Sequence, residues 1–348
     1  MVRKTISIDT IAELSGYSRA TVSRVIGDYG YVSEKAREKI TKVIKECNYH
    51  PSGVARSMVS GKTQTIGLIQ TDIRNPFYSV IAKSIEDVIV GKNYSLIICN
   101  TDESLERERK SFSLLLEKQI DGLILSPALD ENGNYSGVLS EIKTHGIPAV
   151  CIDRPIPRDF GIPSVTVDNY GGGCEAARHL ITLGHRRIAV VTSKPALPNV
   201  REREHGFYSA LEEARIEPAA EHRIELDSTA GSIDNGNSSA LFNRMDRFTA
   251  VFCTANIFSI YTLNMLRNGG LCIPEDLSFV GFDDISHSEL MDSPPTVVVQ
   301  PIAEVGSSAA KLVLRMIAKK DHEKQRDIVL PVEMIVRSST REVKLTHS

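Results

Sequence analysis

From Thr65 to the C-terminal region, short apolar runs alternate with helix-period patterns, and few folds accept that rhythm. The runs lie at 66–70, 95–99, 122–125, 149–152, 165–167, 188–191, 223–226, 250–253, 278–281, 297–300 and 328–330, with helical patterns such as 80–91, 106–118, 172–183 and 203–214 between them. Strands that alternate with helices predict an α/β fold of parallel sheets covered on both faces. Eleven strands suit two smaller sheets better than one. In open α/β sheets, ligands sit beyond the carboxyl ends of the strands. Two such lobes facing each other make a cleft that a ligand can close.

The first sixty residues read differently. In the run Ile11-Ala-Glu-Leu-Ser-Gly-Tyr-Ser-Arg-Ala-Thr-Val-Ser-Arg-Val-Ile26, an apolar-periodic helix reaches Leu14 and breaks at Gly16. A second helix begins at Ser18, whose side chain can accept from the amide of Ala20 or Thr21. This helix-turn-helix pattern turns Val22, Val25 and Ile26 inward and offers Ser18, Arg19, Ala20, Thr21, Ser23 and Arg24 outward. The second helix of such a motif enters the DNA major groove. A third helix at 33–47 carries Ala36, Ile40, Val43, Ile44 and Cys47 on one face and ends where Pro51 biases His50 to extended geometry. Residues 52–59 could form a short hinge helix, marginal alone in water, and 60–63 read as a linker.

Charge follows the same division. Residues 1–62 hold 11 Lys and Arg against 6 Asp and Glu, a local balance of +5 that leaves −8 for the rest of a chain whose formal charge is −3. A basic head on an acidic body suits a phosphate-binding module joined to one that is not. The six cysteines are scattered without a C-x-x-C pair, and the reading is free thiols in a reducing cytosol. No signal peptide and no apolar run of bilayer length is present, so a cytoplasmic protein with no membrane partner is expected. Gly171-Gly172-Gly173 matches neither dinucleotide nor P-loop spacing and reads as a tight strand-to-helix turn. No nucleophile–base arrangement and no metal-ligand spacing stands out, so neither catalytic activity nor a cofactor is expected.

At this point the motifs form an ordered set. Ile11–Ile26, Val32-Ser33, Asn48-Tyr49 and Val54-Ala55-Arg56-Ser57 resemble the head of the lactose-repressor (LacI/GalR) family. Thr65-Ile66-Gly67, Asn75-Pro76-Phe77, Gln119-Ile120-Asp121-Gly122, Ile147-Pro148 and Asp168-Asn169 continue the resemblance. So do His179-Leu180, Leu183-Gly184-His185-Arg186, Arg203 before Gly206-Phe207, and Val280-Gly281-Phe282-Asp283-Asp284, so that the match runs from residue 5 to 341. The resemblance implies a helix-turn-helix head, a hinge helix and two parallel-sheet subdomains of the periplasmic-binding-protein type I kind.

Carried over by position, the base-reading residues fall on Arg19 and Ala20, with Arg24 as a later contact. Arginine can pair bidentately with guanine, and alanine can touch a thymine methyl. Thr21, Ser23 and Tyr29 are expected on phosphate. Met58 takes the place of the family's minor-groove wedge, usually Leu, beside the small Ala55 that lets two hinges approach. The bland alternative is that Met58 only packs the linker.

In the body, Asp153, Asn256 and Asp283 follow strands, and Arg203 opens a helix after the strand at 188–191. Each alone reads as a cap or loop hydrogen bond. Together, at the family's ligand positions, they form an effector site with Phe77 and Tyr78 as an aromatic wall and Gln300 as a hinge-strand amide. Carboxylates accept from vicinal hydroxyls and Arg forks onto two oxygens, which suits a sugar, sugar acid or sugar phosphate. One departure is Ile257 after Asn256, where the family usually has Asp. The segment Asp227-Ser-Thr-Ala-Gly-Ser-Ile233 also lacks the aromatic that some relatives stack on a base, which disfavours a purine.

The expectation is therefore a homodimeric, repressor-type regulator that binds a pseudo-palindromic double-stranded operator under control of a small polar effector. Residues 1–50 would be the head, 51–63 the hinge and linker, and 64–341 the effector body. Within the body, one subdomain would span about 64–166 and 302–325, the other about 167–300 and 326–341. The rivals are a binding protein without gene control, opposed by the basic head and missing export signal, and an enzyme on a Rossmann-like scaffold, opposed by the missing phosphate fingerprint.

Overall fold

The computed structural model describes residues 6–27, 29–49, 61–130, 132–194, 197–218, 221–227, 245, 247–318 and 327–343 of the 348-residue chain. The hinge positions Ala55 and Met58 and residues 228–233 lie outside the described residues. The chain divides into two units, one of residues 1–65 with 119–121 and one of 66–118 with 122–348.

The first unit opens with α1 (Ile8–Ser15), α2 (Arg19–Gly27) and α3 (Glu34–Glu46). Ser7 caps α1 by accepting from the amide of Thr10. Gly16 ends it in the left-handed region at φ 72°, where a residue without Cβ is least strained, and its N–H closes on the Ala12 carbonyl at 2.9 Å. Ile11, Val22, Val25 and Ile40 form the small core.

The second unit contains two six-stranded sheets. In chain order its elements start with β1 (Thr65–Gln70), α4 (Pro76–Val90), β2 (Ser95–Asn100), α5 (Leu105–Glu117), β3 (Gly122–Leu125), α6 (Val138–His145), β4 (Ala149–Ile152) and β5 (Ser164–Val167). They continue with α7 (Asn169–Thr182), β6 (Ile188–Lys194), α8 (Pro198–Glu213), β7 (Arg223–Asp227), β8 (Ala250–Cys253), α9 (Asn256–Asn268), β9 (Ser278–Phe282) and β10 (Thr296–Val299). Last come α10 (Ile302–Ile317), β11 (Ile328–Leu330) and β12 (Glu333–Ile335). The first sheet is ordered β11-β5-β4-β3-β1-β2 and the second β12-β10-β9-β8-β6-β7, so β1 to β5 and β6 to β10 follow one pattern. In each the order reverses beside the first strand, and ligand crevices form outside such a reversal.

Central strands such as β3, β4, β8 and β9 are buried at every position, which is why they read as unbroken apolar runs. In the first lobe, α4 and α10 pack on the sheet through Ile81, Ile85, Val305 and Val313. In the second lobe, α7 and α8 cover one face with Leu180 and Phe207.

Three sequence expectations need correction. The strand at 328–330 belongs to the first sheet, pairing in parallel with β5 (Ile328 opposite Val165), so the final crossing follows Leu330 and not residue 325. Backbone pairing decides this, and the sequence around 326 carries no mark of it. The triplet Gly171 to Gly173 lies inside α7 and is not a turn: a Cβ on Gly173 would stand 2.0 Å from the carbonyl oxygen of Arg203, so the glycine lets α7 and α8 approach. Arg203 does not open its helix. Pro198 does, at the position where a missing N–H costs no hydrogen bond, and Arg203 follows in the second turn.

Candidate functional site

On the head, the Ser18 hydroxyl accepts from the amide of Thr21 at 3.2 Å and shares a hydrogen bond with its hydroxyl at 2.9 Å. This is the N-cap that fixes where α2 begins. Val22 and Val25 point into the core, so Arg19, Ala20 and Arg24 are left exposed, with Thr21 and Ser23 half-buried. Tyr29 is exposed, and its hydroxyl lies 2.9 Å from the Ser23 hydroxyl. Arg19 pairs with Asp9 at 3.5 Å, both largely in solvent, a pairing that a phosphate or base edge can displace at little cost. Of the seven described head candidates, Ser18, Arg19, Ala20, Arg24 and Tyr29 are therefore exposed and Thr21 and Ser23 half-buried.

In the second unit a cavity of about 640 Å³ lies between the lobes, and Phe77, Tyr78, Asp153, Arg203, Asn256, Asp283 and Gln300 all line it. They arrive there on matching elements. Asp153 directly follows β4 and Asp283 directly follows β9, and both adopt left-handed φ, 69° and 67°. Two non-glycine residues held there at equivalent strand ends mark backbone conformations that the surroundings over-determine, as occurs at ligand sites.

The Asp153 carboxylate accepts from the Tyr78 hydroxyl at 2.9 Å and Ser126 at 3.4 Å on one oxygen, and from Nδ2 of Asn199 at 3.0 Å on the other. Burial, with the Asp153 charge beside it, pushes the Tyr78 phenol up, so it stays protonated and donates. Phe77 meets the Tyr78 ring edge-on at 5.0 Å. Asp283 accepts twice from Nε2 of Gln300, at 2.8 and 3.0 Å. Burial raises its carboxyl, while Arg203 and Gln300 pull the other way. Arg203 is fixed by donation from Nε to Asn169 Oδ1 and from Nη1 to the Thr254 carbonyl, both 2.8 Å, and its guanidinium stacks 3.7 Å over Phe282. Gln300 lies just past β10, at the crossing between lobes. Asn256 bridges to the first lobe by donating to Asn75 Oδ1 at 3.1 Å, and Ile257, the departure noted in the sequence, lines the cavity with a half-exposed apolar side chain.

Among the lining residues that the sequence reading did not propose are Asn75, Asn199, Arg154 and Ser193. Asn75 caps α4 ahead of Pro76, and Asn199 follows Pro198 in α8. Arg154 is buried beside Asp153, donating to Glu103 and to the Pro127 carbonyl at 2.7 Å. Burial opposes its charge most strongly, but Glu103 together with the other acidic neighbours holds the guanidinium charged. Ser193 sits in β6. Arg154 Nε and Ser193 Oγ are buried without a hydrogen-bond partner among the described residues, and both residues line the cavity. Orphaned polar atoms at a cavity wall call for a ligand or water group to complete them. Among the described residues, no group of His, Cys, Asp and Glu could hold a metal ion, and no helix is long and apolar enough to cross a membrane.

Residues 7–52 match the model described as bacterial regulatory proteins, lacI family, and residues 177–340 match the periplasmic binding protein-like domain. The HTH-type transcriptional regulator DegA of Bacillus subtilis (strain 168) is 36% identical over 339 residues, covering 96% of this chain and 98% of that protein. A LacI family transcriptional regulator from Enterococcus faecium with bound ribose superposes with TM-score 0.69 at 30% identity, over 80% of this chain and 100% of that one. The lac repressor dimer bound to operator and an anti-inducer shares the fold at TM-score 0.83 and 24% identity, over 97% of this chain and 100% of that one.

Proposed function

Because the chain belongs to the LacI family of bacterial regulatory proteins, we propose that it answers an uncharged sugar, held between its two lobes, by changing its affinity for an operator. It is an effector-controlled, DNA-binding transcription regulator rather than an enzyme. Its DNA contacts are Ser18, Arg19, Ala20, Thr21, Ser23, Arg24 and Tyr29, with Ala55 and Met58 in the hinge. Its effector contacts are the seven cavity residues together with Asn75, Arg154, Ser193 and Asn199. Residues 1–50, 51–63 and 64–341 act as head, hinge and effector body. DNA binding puts its site of action in the cytoplasm.

One observation carries the sugar reading. The cavity offers hydroxyl-accepting carboxylates, carboxamides and guanidinium donors beside an aromatic ring, and vicinal hydroxyls both donate and accept. Its charge narrows the class. Six carboxylates (Asp72, Asp102, Glu103, Asp130, Asp153 and Asp283) face three guanidinium groups, of which Arg74 already pairs with Asp72 and Arg154 with Glu103. A sugar acid or sugar phosphate meets like charge there, whereas a neutral sugar does not. The ribose held by the related Enterococcus regulator supports the same class. The effector moves the operator equilibrium only through different affinity for two states of the protein.

The working form is a homodimer on a pseudo-palindrome. Exposed Ile73, Val80 and Ile98 in the first lobe and Ile260 in the second supply apolar surface for it. Light scattering at micromolar concentration should give a dimer, and a monomer or stable tetramer would reject that assembly.

The test is operator binding by fluorescence anisotropy on a duplex selected from random sequence, with and without added sugars. We expect an inverted repeat and a shift of roughly 5–150-fold in affinity with one neutral sugar. A shift caused only by sugar phosphates or acids rejects the uncharged class. Selection that returns no inverted repeat rejects the dimeric head.

A further inference from the structure

One wall of the cavity is a loop braced by hydrogen bonds within itself and to its surroundings. Between β3 and α6, Leu129 and Tyr135 form an antiparallel bridge. The Asp130 carboxylate accepts from the amides of Asn132 at 2.9 Å and Asn134 at 2.8 Å, and from Nδ2 of Asn134 at 2.9 Å. Tyr135 donates to the Pro155 carbonyl at 2.5 Å, and its ring meets Phe160 edge-on. Leu129, Asp130, Asn132 and Gly133 line the cavity at its rim, where Asn132 is exposed and the other three are half-buried. Gly133 reaches the opposite lobe: a Cβ on it would stand 3.2 Å from the Arg201 guanidinium on α8.

A single buried residue fixes both ends of this loop. Glu108, on α5, has no exposed surface. Its carboxylate accepts the Ala128 amide at 2.5 Å and the Ser136 hydroxyl, and Ser136 in turn accepts the amide of Val138 at 3.2 Å. Burial raises the Glu108 carboxyl, while these two donors favour its ionised form.

We propose that residues 128–130 and 132–136 form a preset rim that selects effectors by length, and that Glu108 is the positioning residue that holds it in place. The inference rests on the sugar reading of the cleft. The Asp130 carboxylate is engaged by the loop's own amides, so the loop offers a ligand chiefly Leu129 and backbone. Such a wall discriminates by exclusion. Because it is ordered beforehand, it adds little ordering cost when a ligand binds. On this reading a single-ring sugar is accepted beneath the rim, whereas a second ring on that side is turned back where Gly133 approaches the Arg201 guanidinium.

The full-length protein is titrated by calorimetry with ribose, glucose, galactose, maltose and cellobiose. Three variants follow. Glu108→Ala removes the clamp. Glu108→Gln keeps it, since its oxygen accepts from Ala128 and its amide donates to Ser136. Asp130→Ala loosens the loop from within and avoids a buried site, should Glu108→Ala fail to fold. We expect the parent to prefer a monosaccharide, and Asp130→Ala and Glu108→Ala to cut that preference over disaccharides at least fivefold. Operator affinity without sugar should stay within twofold, and Glu108→Gln should keep the parent's ratio. Equal proportional loss of both affinities, or an unchanged ratio in Asp130→Ala, overturns the rim while leaving the sugar reading intact. If no sugar binds the parent, the sugar reading fails and the rim with it.

Discussion

Nδ2 of Asn199 donates to Oδ1 of Asp153 at 3.0 Å, and the two residues belong to opposite lobes. Asn199 rides on α8 of the second lobe and Asp153 directly follows β4 of the first, so the bond spans the cavity both residues line. The other Asp153 oxygen takes Tyr78 and Ser126. Asn199→Ala leaves a buried acceptor short of its donor, a loss of about 1–3 kcal/mol. We expect effector affinity to fall roughly tenfold or more by calorimetry, at about 1.4 kcal/mol per decade. Asn199→Asp should do worse, since it sets a second carboxylate against the first. Parent-like affinity in that variant would show that the bridge does not belong to the effector-bound state.

Gly173 tests how far packing remote from the cavity sets the site. Its Cβ would lie 2.0 Å from the Arg203 carbonyl oxygen, far inside van der Waals contact, so Gly173→Ala must push α8 away from α7. Overpacking of this kind costs about 1–3 kcal/mol and moves backbone. The expected outcome is a lower urea midpoint together with weakened effector binding, while operator affinity without effector is retained. Full effector affinity in a destabilised protein would mean that Arg203 can follow the helix without consequence.

Arg203 and Asp283 face each other electrostatically, each opposing the burial that disfavours the other's charge. Asp283→Ala and Arg203→Ala should each abolish the effector response and leave operator binding largely intact. A folded variant of either that still answers effector at the parent concentration removes that residue from the site.

Legibility followed locality. The central strands were readable because burial on both faces writes unbroken apolar runs, and Ser18 announced the start of α2 by its own chemistry. Cavity residues such as Asp153 and Asp283 could be located because they follow strands and fall at the ligand positions that the family resemblance implies. What escaped depends on distant partners. Arg154 looks solvated in sequence and is buried only because Glu103 and the Pro127 carbonyl meet it. The role of Gly173 needs the Arg203 backbone, and β12 is a three-residue strand with half-exposed side chains, too short to leave a period.

At the head, Arg24 is exposed on the face of α2 away from Val22 and Val25. If it reads a base, Arg24→Ala should cost about 1–3 kcal/mol on the selected operator and relax preference at one base pair per half-site. Competition with single-base variants of the operator measures both. A uniform loss across all variants would make Arg24 a phosphate contact instead.

His185 carries the clearest pH dependence. Its Nε2 lies 3.1 Å from the Arg341 carbonyl, so it bears the ring proton, and Nδ1 lies 2.9 Å from the Thr249 hydroxyl, from which it can accept. Burial holds its pKa below the ordinary value, and His179, bonded to Thr340, is lowered by burial as well. A histidine depressed by folding stays neutral where the unfolded chain, near 6.5, already takes a proton. The unfolded state then binds more protons, so stability rises with pH across that window and falls as pH drops below about 6.5. Glu108 and Glu202, both raised by burial, act in the opposite sense and start from lower ordinary values. The histidine contribution is isolated by comparing urea midpoints at pH 7.5 and 5.5 in the parent and in His185→Gln. We expect a lower midpoint at pH 5.5 in the parent and a smaller drop in the variant. A variant with the parent's full pH slope would place the acid sensitivity elsewhere than at the pairing of His185 with Arg341.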